Sequence, residues 1–136
     1  MGTRSKVGVM HGDTVKSVYS HYDGYLSCTG QFLQTYYNSA KANQLVALGD
    51  NRGIEENVDK MYFYGRDRNE TDVSYEVAHS FDEFLEQVDN CGAEYYYIMK
   101  DDVWYAGAVY ETKGIVKNSL VRLDEALNTI TEKEYA

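Results

Sequence analysis

Alternating hydrophobic and polar positions near both ends of the chain predict two β-hairpins. Near the amino end, residues 6–10 and 14–22 follow the two-residue period of strands, and His11-Gly12-Asp13 supplies a glycine-containing turn between them. Residues 94–99 and 103–110 flank a second short polar turn in the same way. We therefore expect antiparallel strand pairs at both ends of the chain.

Helical spacing replaces the strand pattern from Thr29 onward. Apolar residues then recur three and four positions apart and predict one buried stripe, which consists of Phe32, Leu33, Tyr36, Tyr37 and Ala40. A second short helix is predicted over residues 40–48, with Ser39 as its N-cap and Gly49 just beyond its end.

The clearest helix signal begins at Ser80. In Ser80-Phe81-Asp82-Glu83, the serine hydroxyl and the glutamate carboxylate can each accept a hydrogen bond from a free backbone N–H, which is the pattern of a capping box. Gly92 marks the expected end of this helix. A closing helix is predicted from one apolar face, made of Leu120, Leu123, Leu127 and Ile130.

The middle of the chain is more polar. Residues 50–59 are typical of a loop, and residues 60–65 predict a short tyrosine-rich strand that leads into a charged loop. Together these elements predict an α+β fold in one domain, residues 1–136. We expect a largely antiparallel sheet, built from the N-terminal and C-terminal hairpins plus a central strand, with three to four helices packed on it.

The charge balance changes the set of expected partners. Asp and Glu total 22 against 13 Lys and Arg, so the formal net charge is −9. Such a surface repels phosphate backbones and disfavours direct binding of nucleic acid. It could steer the chain toward a basic partner, including one that itself binds nucleic acid, or it could serve only solubility. The 14 tyrosines favour both sheet formation and protein interfaces.

The two cysteines, Cys28 and Cys91, are far apart and lack the paired spacing of zinc ligands. Two buried reduced thiols would suit a cytosolic chain. The sequence begins without a signal-peptide pattern and has no apolar run long enough to span a bilayer. We therefore expect a cytoplasmic protein that has no metal, cofactor or membrane partner.

The first candidate site is Tyr19-Ser20-His21-Tyr22-Asp23-Gly24-Tyr25, at the end of the first hairpin. If the strand continued through it, His21 and Asp23 would share one face, and the carboxylate could orient the imidazole for acid–base work. In that case His21 and Asp23 would be the catalytic residues. Alternatively, both side chains bond to the backbone and fix the Asp-Gly turn. Tyr19 and Tyr25 complete the predicted binding surface here.

The second candidate site is the charged segment Tyr64-Gly65-Arg66-Asp67-Arg68-Asn69-Glu70. Arg66 and Arg68 could grip a phosphate or carboxylate, because a guanidinium matches the geometry of such oxyanions. The alternative is an internal set of ion pairs with the neighbouring acids Asp67, Glu70 or Asp72. Tyr64 stands at the start of the segment and is counted with the binding residues.

Taken in order, several short motifs resemble a group of small proteins encoded by tailed bacteriophages and prophages. The matching segments are Thr3-Arg4-Ser5, Tyr19…His21-Tyr22-Asp23-Gly24-Tyr25, Leu48-Gly49-Asp50, Tyr64-Gly65-Arg66-Asp67-Arg68-Asn69-Glu70, Tyr95-Tyr96-Tyr97 and Trp104-Tyr105. The resemblance covers nearly the whole chain. It departs from the group's pattern at Asn69, where glycine is expected, and after Tyr25, where proline is missing; asparagine can adopt the same left-handed conformation as glycine.

The resemblance implies a biological setting and not a mechanism, and it assigns no catalytic residue to this chain. We expect a phage-encoded accessory protein outside the virion, acting in the host cytoplasm in host takeover or anti-defence. It would bind and inhibit a bacterial protein, such as a nucleic-acid-binding or defence complex. Alternatives are a sponge for a nucleotide second messenger, with Arg66 and Arg68 on phosphates, and a small phosphoester hydrolase using His21 and Asp23. A tyrosine-rich sheet edge would also suit a homodimer.

Overall fold

The computed structural model describes residues 3–112 and 115–135. Its strands are β1 (Ser5–His11), β2 (Thr14–Ser20), β3 (Glu76–Ala78), β4 (Tyr95–Lys100), β5 (Val103–Ala108) and β6 (Val121–Arg122). Its α-helices are α1 (Gln31–Tyr36), α2 (Ser39–Leu48), α3 (Tyr64–Arg68), α4 (Phe81–Cys91) and α5 (Leu123–Tyr135). A π-helical turn, Leu26–Gly30, runs into α1, and a 3₁₀ turn covers Val58–Lys60.

The strands form one mixed, mostly antiparallel sheet in the order β3-β2-β1-β4-β5-β6. Strands β1 and β2 form the first predicted hairpin, and β4 and β5 form the second. The two hairpins join where β1 and β4 pair in parallel, with Val7 opposite Tyr97. The α+β class is confirmed, although this parallel junction, and not a separate central strand, connects the two halves of the sheet.

Each face of the sheet has its own hydrophobic layer. The larger layer lies under the π-helical turn and helices α1, α2 and α5, and its strand residues include Val7, Val18 and Tyr97. The other face is covered by α4 through Phe84 and Val88. Because every second strand residue points to one face, β1 and β4 supply side chains to both layers.

The capping signals were correct for one helix and off by one residue for another. Ser80 Oγ accepts the backbone N–H of Glu83 at 3.1 Å, and Gly92 ends α4 with φ of 72°, as predicted. At α2 the N-cap is Asn38, whose side chain accepts the N–H of Lys41, and not Ser39. Asparagine is as good an N-cap as serine, so the structure uses the earlier residue.

Three further predictions are wrong in detail. Tyr36 and Ala40 are exposed, because the chain bends between α1 and α2 and ends the expected stripe at Tyr37. Residues 60–65 do not form a strand: Phe63 makes a single bridge to Asn51, and α3 begins immediately afterwards. That extra helix brings the described α-helices to five. In the closing helix Leu123 is buried as expected, but Leu120 lies before the helix and packs against the layer on the other face of the sheet. The side chain of Ile130 lies outside the described part.

The tyrosines of the described strands lie on inner strands of the sheet and not at its edges. Tyr95, Tyr96 and Tyr97 are buried on β4, an inner strand, and the edge strands β3 and β6 have three and two residues. The tyrosine-rich edge that favoured a homodimer is therefore not present among the described strands, and the dimer stays a prediction. Among the described residues, no helix has both the length and the apolar character needed to cross a membrane.

Candidate functional site

The two predicted segments lie on either side of residues 49–53, which follow α2. On one side, His21 N–H donates to Asn51 O at 3.2 Å and Tyr22 N–H donates to Arg52 O at 2.8 Å. On the other, Arg52 N–H donates to Tyr62 O at 2.9 Å and Tyr64 N–H donates to Asp50 O at 3.2 Å. These backbone bonds bring both segments to one end of the molecule.

Gly49 allows the two segments to approach each other. Its φ is 92°, and a Cβ at this position would lie 2.5 Å from the carbonyl oxygen of Val73, which accepts the N–H of Asp50 at 2.8 Å. A side chain would therefore collide with the backbone, and only glycine adopts this φ without strain. The glycine predicted to end α2 thus also sets the position of residues 50–53.

The first segment does not form a histidine–aspartate pair. Strand β2 ends at Ser20, and Asp23 turns the chain with φ of 58°, so the strand alternation does not reach it. His21 Nδ1 instead shares a 2.5 Å hydrogen bond with the hydroxyl of Tyr19. Within the described chain, His21 and Asp23 share no hydrogen bond or ion pair. Their proposed catalytic roles stay predictions without this geometric support.

The Asp23-Gly24 turn is fixed through its own backbone atoms, and not through the side chains of His21 and Asp23. The carbonyl oxygen of Asp23 accepts both the N–H and the hydroxyl of Thr29, at 3.2 and 2.8 Å. Gly24 N–H donates to Thr3 O, and the buried Tyr97 hydroxyl donates to Gly24 O at 2.6 Å. The turn is thereby attached to the π-helical turn, to the amino end and to the inner strand β4.

The second segment is a one-turn helix whose first arginine makes four hydrogen bonds within the fold. Arg66 donates to the carbonyl oxygens of Val58 and Met61 at 2.9 and 2.7 Å, and to both carboxylate oxygens of Asp67. Its guanidinium also lies over the buried ring of Phe63, 4.8 Å from the centroid. The hydrogen bond from Arg66 holds the pKa of the Asp67 carboxyl below its usual value. Here the internal ion-pair interpretation describes the geometry.

Arg68 is bonded more simply. Its Nε lies 3.0 Å from a carboxylate oxygen of Glu70, and both side chains are largely exposed. Asn69 between them has φ of 56° and ends the helix, so asparagine does adopt the left-handed conformation expected at this position. The two arginines do not converge on one oxyanion-binding site, because the guanidinium of Arg66 is directed to the carbonyls of Val58 and Met61.

A cleft next to the first segment contains residues that the sequence did not single out. Its volume is about 380 Å³, and its lining residues are Tyr22, Asp23, Cys28, Arg52, Gly53, Ile54, Glu55, Lys60 and Tyr62. Of the predicted site residues only Asp23 is among them. Tyr22 belongs to the first segment and Cys28 to the π-helical turn, and the remaining residues lie between Arg52 and Tyr62, where the sequence has no recognisable motif. Only the tertiary structure therefore reveals the cleft.

The loop that lines much of the cleft is attached to the core. Ile54 and Met61 are buried in the larger hydrophobic layer. The hydroxyl of Tyr37 donates to Glu55 O at 2.8 Å, and the indole N–H of Trp104 donates to Tyr37 O at 2.8 Å. These contacts connect the backbone of the loop to strand β5 through Tyr37.

Three exposed tyrosines surround Cys28 and, with Phe32, form a surface that we call the tyrosine face. Tyr22, Tyr25 and Tyr36 are 42, 40 and 43% exposed. Tyr22 shares the cleft with Cys28, and Tyr36 and Phe32 share a neighbouring apolar groove with it. Cys28 and Asp23 lie close enough to Tyr25 to raise its pKa. The tyrosine face is thus continuous with the cleft.

The cysteines are free thiols, and each is half-buried, not fully buried as expected. Burial raises the pKa of both Cys28 and Cys91. A raised pKa keeps a thiol protonated and makes it a weak nucleophile and a weak metal ligand. The described residues contain no group of three or more His, Cys, Asp or Glu side chains that could hold a metal ion.

A buried lysine on β1 was not predicted. The Lys6 side chain is 1% exposed, and its ammonium contacts Ser17 Oγ at 2.9 Å and a carboxylate oxygen of Glu76 at 2.5 Å. The alternation of β1 places Lys6 on the α4 face, where an apolar residue would be expected. Its partner on β3 is distant in sequence, so no local pattern could reveal the pair.

Comparisons of this chain with protein-family models, with curated proteins and with solved structures found no match. The interpretation of function therefore depends on the motifs and on the geometry described above.

Proposed function

We propose that this chain is a phage-encoded accessory protein that binds and inhibits a bacterial protein during host takeover or anti-defence. The observation that carries the proposal is the tyrosine face, on which three tyrosines are each about two-fifths exposed around one half-buried cysteine. The sequence motifs that resemble small tailed-phage proteins supply the biological setting, which includes the cytoplasm of the host.

The chemistry of this face suits a protein partner. Tyrosine offers a large rigid contact area with a polar tip and loses little side-chain entropy on binding, and aromatic residues are enriched in interfaces. Asp23 and Glu55 stand beside the face, and the whole chain carries a formal charge of −9. We therefore expect the contacting surface of the partner to be basic, because opposite potentials speed association and exclude wrong partners.

The two alternative functions have less support from the geometry. A nucleotide sponge that uses Arg66 would have to break bonds to Val58, Met61 and Asp67 before it could hold a phosphate. A hydrolase that uses His21 with Asp23 would need the two side chains to meet, and within the described chain they do not bond to each other. Protein binding requires no such rearrangement.

The test compares the tyrosine face with tyrosines elsewhere on the surface. The tagged wild-type chain is used to recover a stoichiometric partner from bacterial lysate, and the purified pair is then titrated. Replacing Tyr22 and Tyr36 by serine should weaken binding at least tenfold, because central aromatic residues dominate interface energies, with about 2 kcal/mol or more for each hot spot.

The matched control replaces Tyr75 and Tyr110 by serine. These tyrosines are similarly exposed, at 37 and 42%, but Tyr75 lies beside Lys16 and Tyr110 beside Tyr95, outside the tyrosine face. The control should bind as the wild type does. Failure to recover any stoichiometric partner, or equal losses in the two double variants, would contradict the proposal.

A further inference from the structure

The backbone of Arg52 is held by hydrogen bonds, whereas its guanidinium has none within the described chain. Its guanidinium lies over the ring of Tyr62, 4.3 Å from the centroid, and its backbone N–H and carbonyl are fixed by Tyr62 and Tyr22. Within residues 3–112 and 115–135, its guanidinium makes no hydrogen bond and no ion pair. Its donors are therefore available to a ligand in the cleft that it lines.

The remaining cleft residues define what such a ligand must carry. Tyr22 and Tyr62 offer aromatic surface, to which a planar ring can stack. Lys60 supplies a second cation on the rim, and its ammonium is 3.1 Å from the exposed carboxylate of Glu56. A volume of about 380 Å³ lies within the range of small-molecule sites.

Two carboxylates limit the charge of the ligand. Asp23 and Glu55 also line the cleft and would repel a ligand with several negative groups. They can instead accept hydrogen bonds from hydroxyl or amino groups. The best match is a ligand with one anionic group, one planar ring and several hydroxyls.

We propose that the cleft between Tyr22 and Tyr62 binds a nucleoside monophosphate. Arg52 and Lys60 hold the phosphate, the tyrosines stack on the base, and Asp23 and Glu55 accept the sugar hydroxyls. The inference shares Tyr22, Asp23 and Glu55 with the surface proposed above for the protein partner. It is tested with the isolated chain and through a different side chain, Arg52, so failure of one proposal can be distinguished from failure of the other. It also differs from the sponge hypothesis, which assigned the phosphate to Arg66 and Arg68.

The experiment is a calorimetric titration of the full chain with each of the four nucleoside 5′-monophosphates. Inorganic phosphate and the free nucleosides are titrated separately, so that the contributions of anion and ring are distinguished. We expect saturable binding of at least one nucleoside monophosphate, tighter than its nucleoside or phosphate alone, and weaker in high salt because the phosphate contacts are exposed to screening.

Arg52→Gln should weaken this binding at least tenfold. Arg68→Gln is the matched control, since it removes the same charge from an exposed arginine outside the cleft, and it should change the affinity less than twofold. Circular dichroism and thermal unfolding confirm that each variant is folded. If Arg52→Gln does not fold, Lys60→Gln takes its place, with a weakening of at least threefold expected.

Three results would overturn the proposal. The first is the absence of binding for all four nucleoside monophosphates up to about 10 mM, which corresponds to less than about 3 kcal/mol of binding free energy. The second is phosphate alone binding as tightly as the nucleotides. The third is an equal loss of affinity in the Arg52 and Arg68 variants, which would indicate only an effect of net charge.

Discussion

Arg52 and Arg66 each place a guanidinium over one of two adjacent rings, yet the fold treats the two side chains differently. Arg52 lies over Tyr62 without a hydrogen-bonding partner among the described residues. Arg66 lies over Phe63 and donates to two backbone carbonyls and to Asp67. The arginine in the conspicuous charged motif therefore stabilises its own loop, while the arginine in an unremarkable loop is available for binding.

The difference shows why charge density in a sequence is a poor guide to a binding site. An acid directly after an arginine, as in Arg66-Asp67, offers a local partner that can satisfy the guanidinium before any ligand does. Arg52 stands next to Asn51 and Gly53, which cannot form an ion pair with it. In this chain the absence of adjacent acids is the more informative local signal.

Tyrosines also divide into buried and exposed side chains. Ionisation of the buried ones gives the largest effect that we expect on stability. Burial raises the pKa of Tyr37 to about 12, with a contribution from Glu55, and burial holds the pKa of the fully buried Tyr97 well above its usual value. The folded pKa values exceed the unfolded value of about 10. The contribution of these two tyrosines to stability is therefore complete below about pH 10, and it is lost as the pH rises toward 12.

We accordingly expect cooperative unfolding of the chain between about pH 10 and pH 12. Circular dichroism and tyrosinate absorbance, recorded on the same samples, measure it. The matched control is Tyr97→Phe, which keeps the ring but removes one ionising hydroxyl, so its stability should fall less steeply with pH than that of the wild type. Unchanged stability through pH 12, or an identical slope in the variant, would count against this account.

Lys6 extends the comparison to a cation inside the protein. Glu76→Ala removes the only carboxylate bonded to its ammonium among the described residues and should destabilise the fold by about 2 kcal/mol. Lys6→Met removes the buried charge and keeps most of the volume, so it should cost less than Glu76→Ala. Urea unfolding of both variants measures the two costs. The account fails if Lys6→Met is the more damaging change.

The two arginines themselves should differ by a smaller amount. Arg66→Ala removes the side-chain donor from the carbonyls of Val58 and Met61 and uncovers Phe63, although Val58 O still accepts the N–H of Met61. We expect a cost of about 1 to 2 kcal/mol, because water can reach the one-third exposed site. Arg52→Ala should stay within about 0.5 kcal/mol of the wild type. Urea unfolding of the two variants under one set of conditions measures both losses of stability. Equal costs would erase the distinction between them.

The sequence was informative where the signals are local. Both hairpins, their turns, and the Ser80 cap of α4 follow from alternation and from hydrogen bonds between near neighbours. The parallel pairing of β1 with β4 joins distant parts of the chain and leaves no local pattern. The α+β class could therefore be predicted, whereas the way in which the two halves of the sheet meet could not.

The candidate site was predictable only in part for the same reason. Residues 60–65 have the composition of a strand, but Asp67 accepts the N–H of Phe63 at 2.8 Å and starts a helical turn instead. The cleft is assembled from the first segment, the loop after α2 and the residues before α3. This assembly depends on backbone hydrogen bonds made by residues 50–53, and no motif in the sequence predicts them.

The central claim is that Arg66 is bonded within the fold and Arg52 is available, and the side-chain N–H groups test it directly. Arg66 Nε donates to Asp67 Oδ1 at 3.0 Å, whereas no described residue accepts from Arg52 Nε. In nitrogen-15 NMR spectra near neutral pH, we predict that the Nε–H of Arg66 exchanges slowly with water and that of Arg52 exchanges rapidly. Assignments come from the two alanine variants. Slow exchange at Arg52, or rapid exchange at Arg66, would contradict the account.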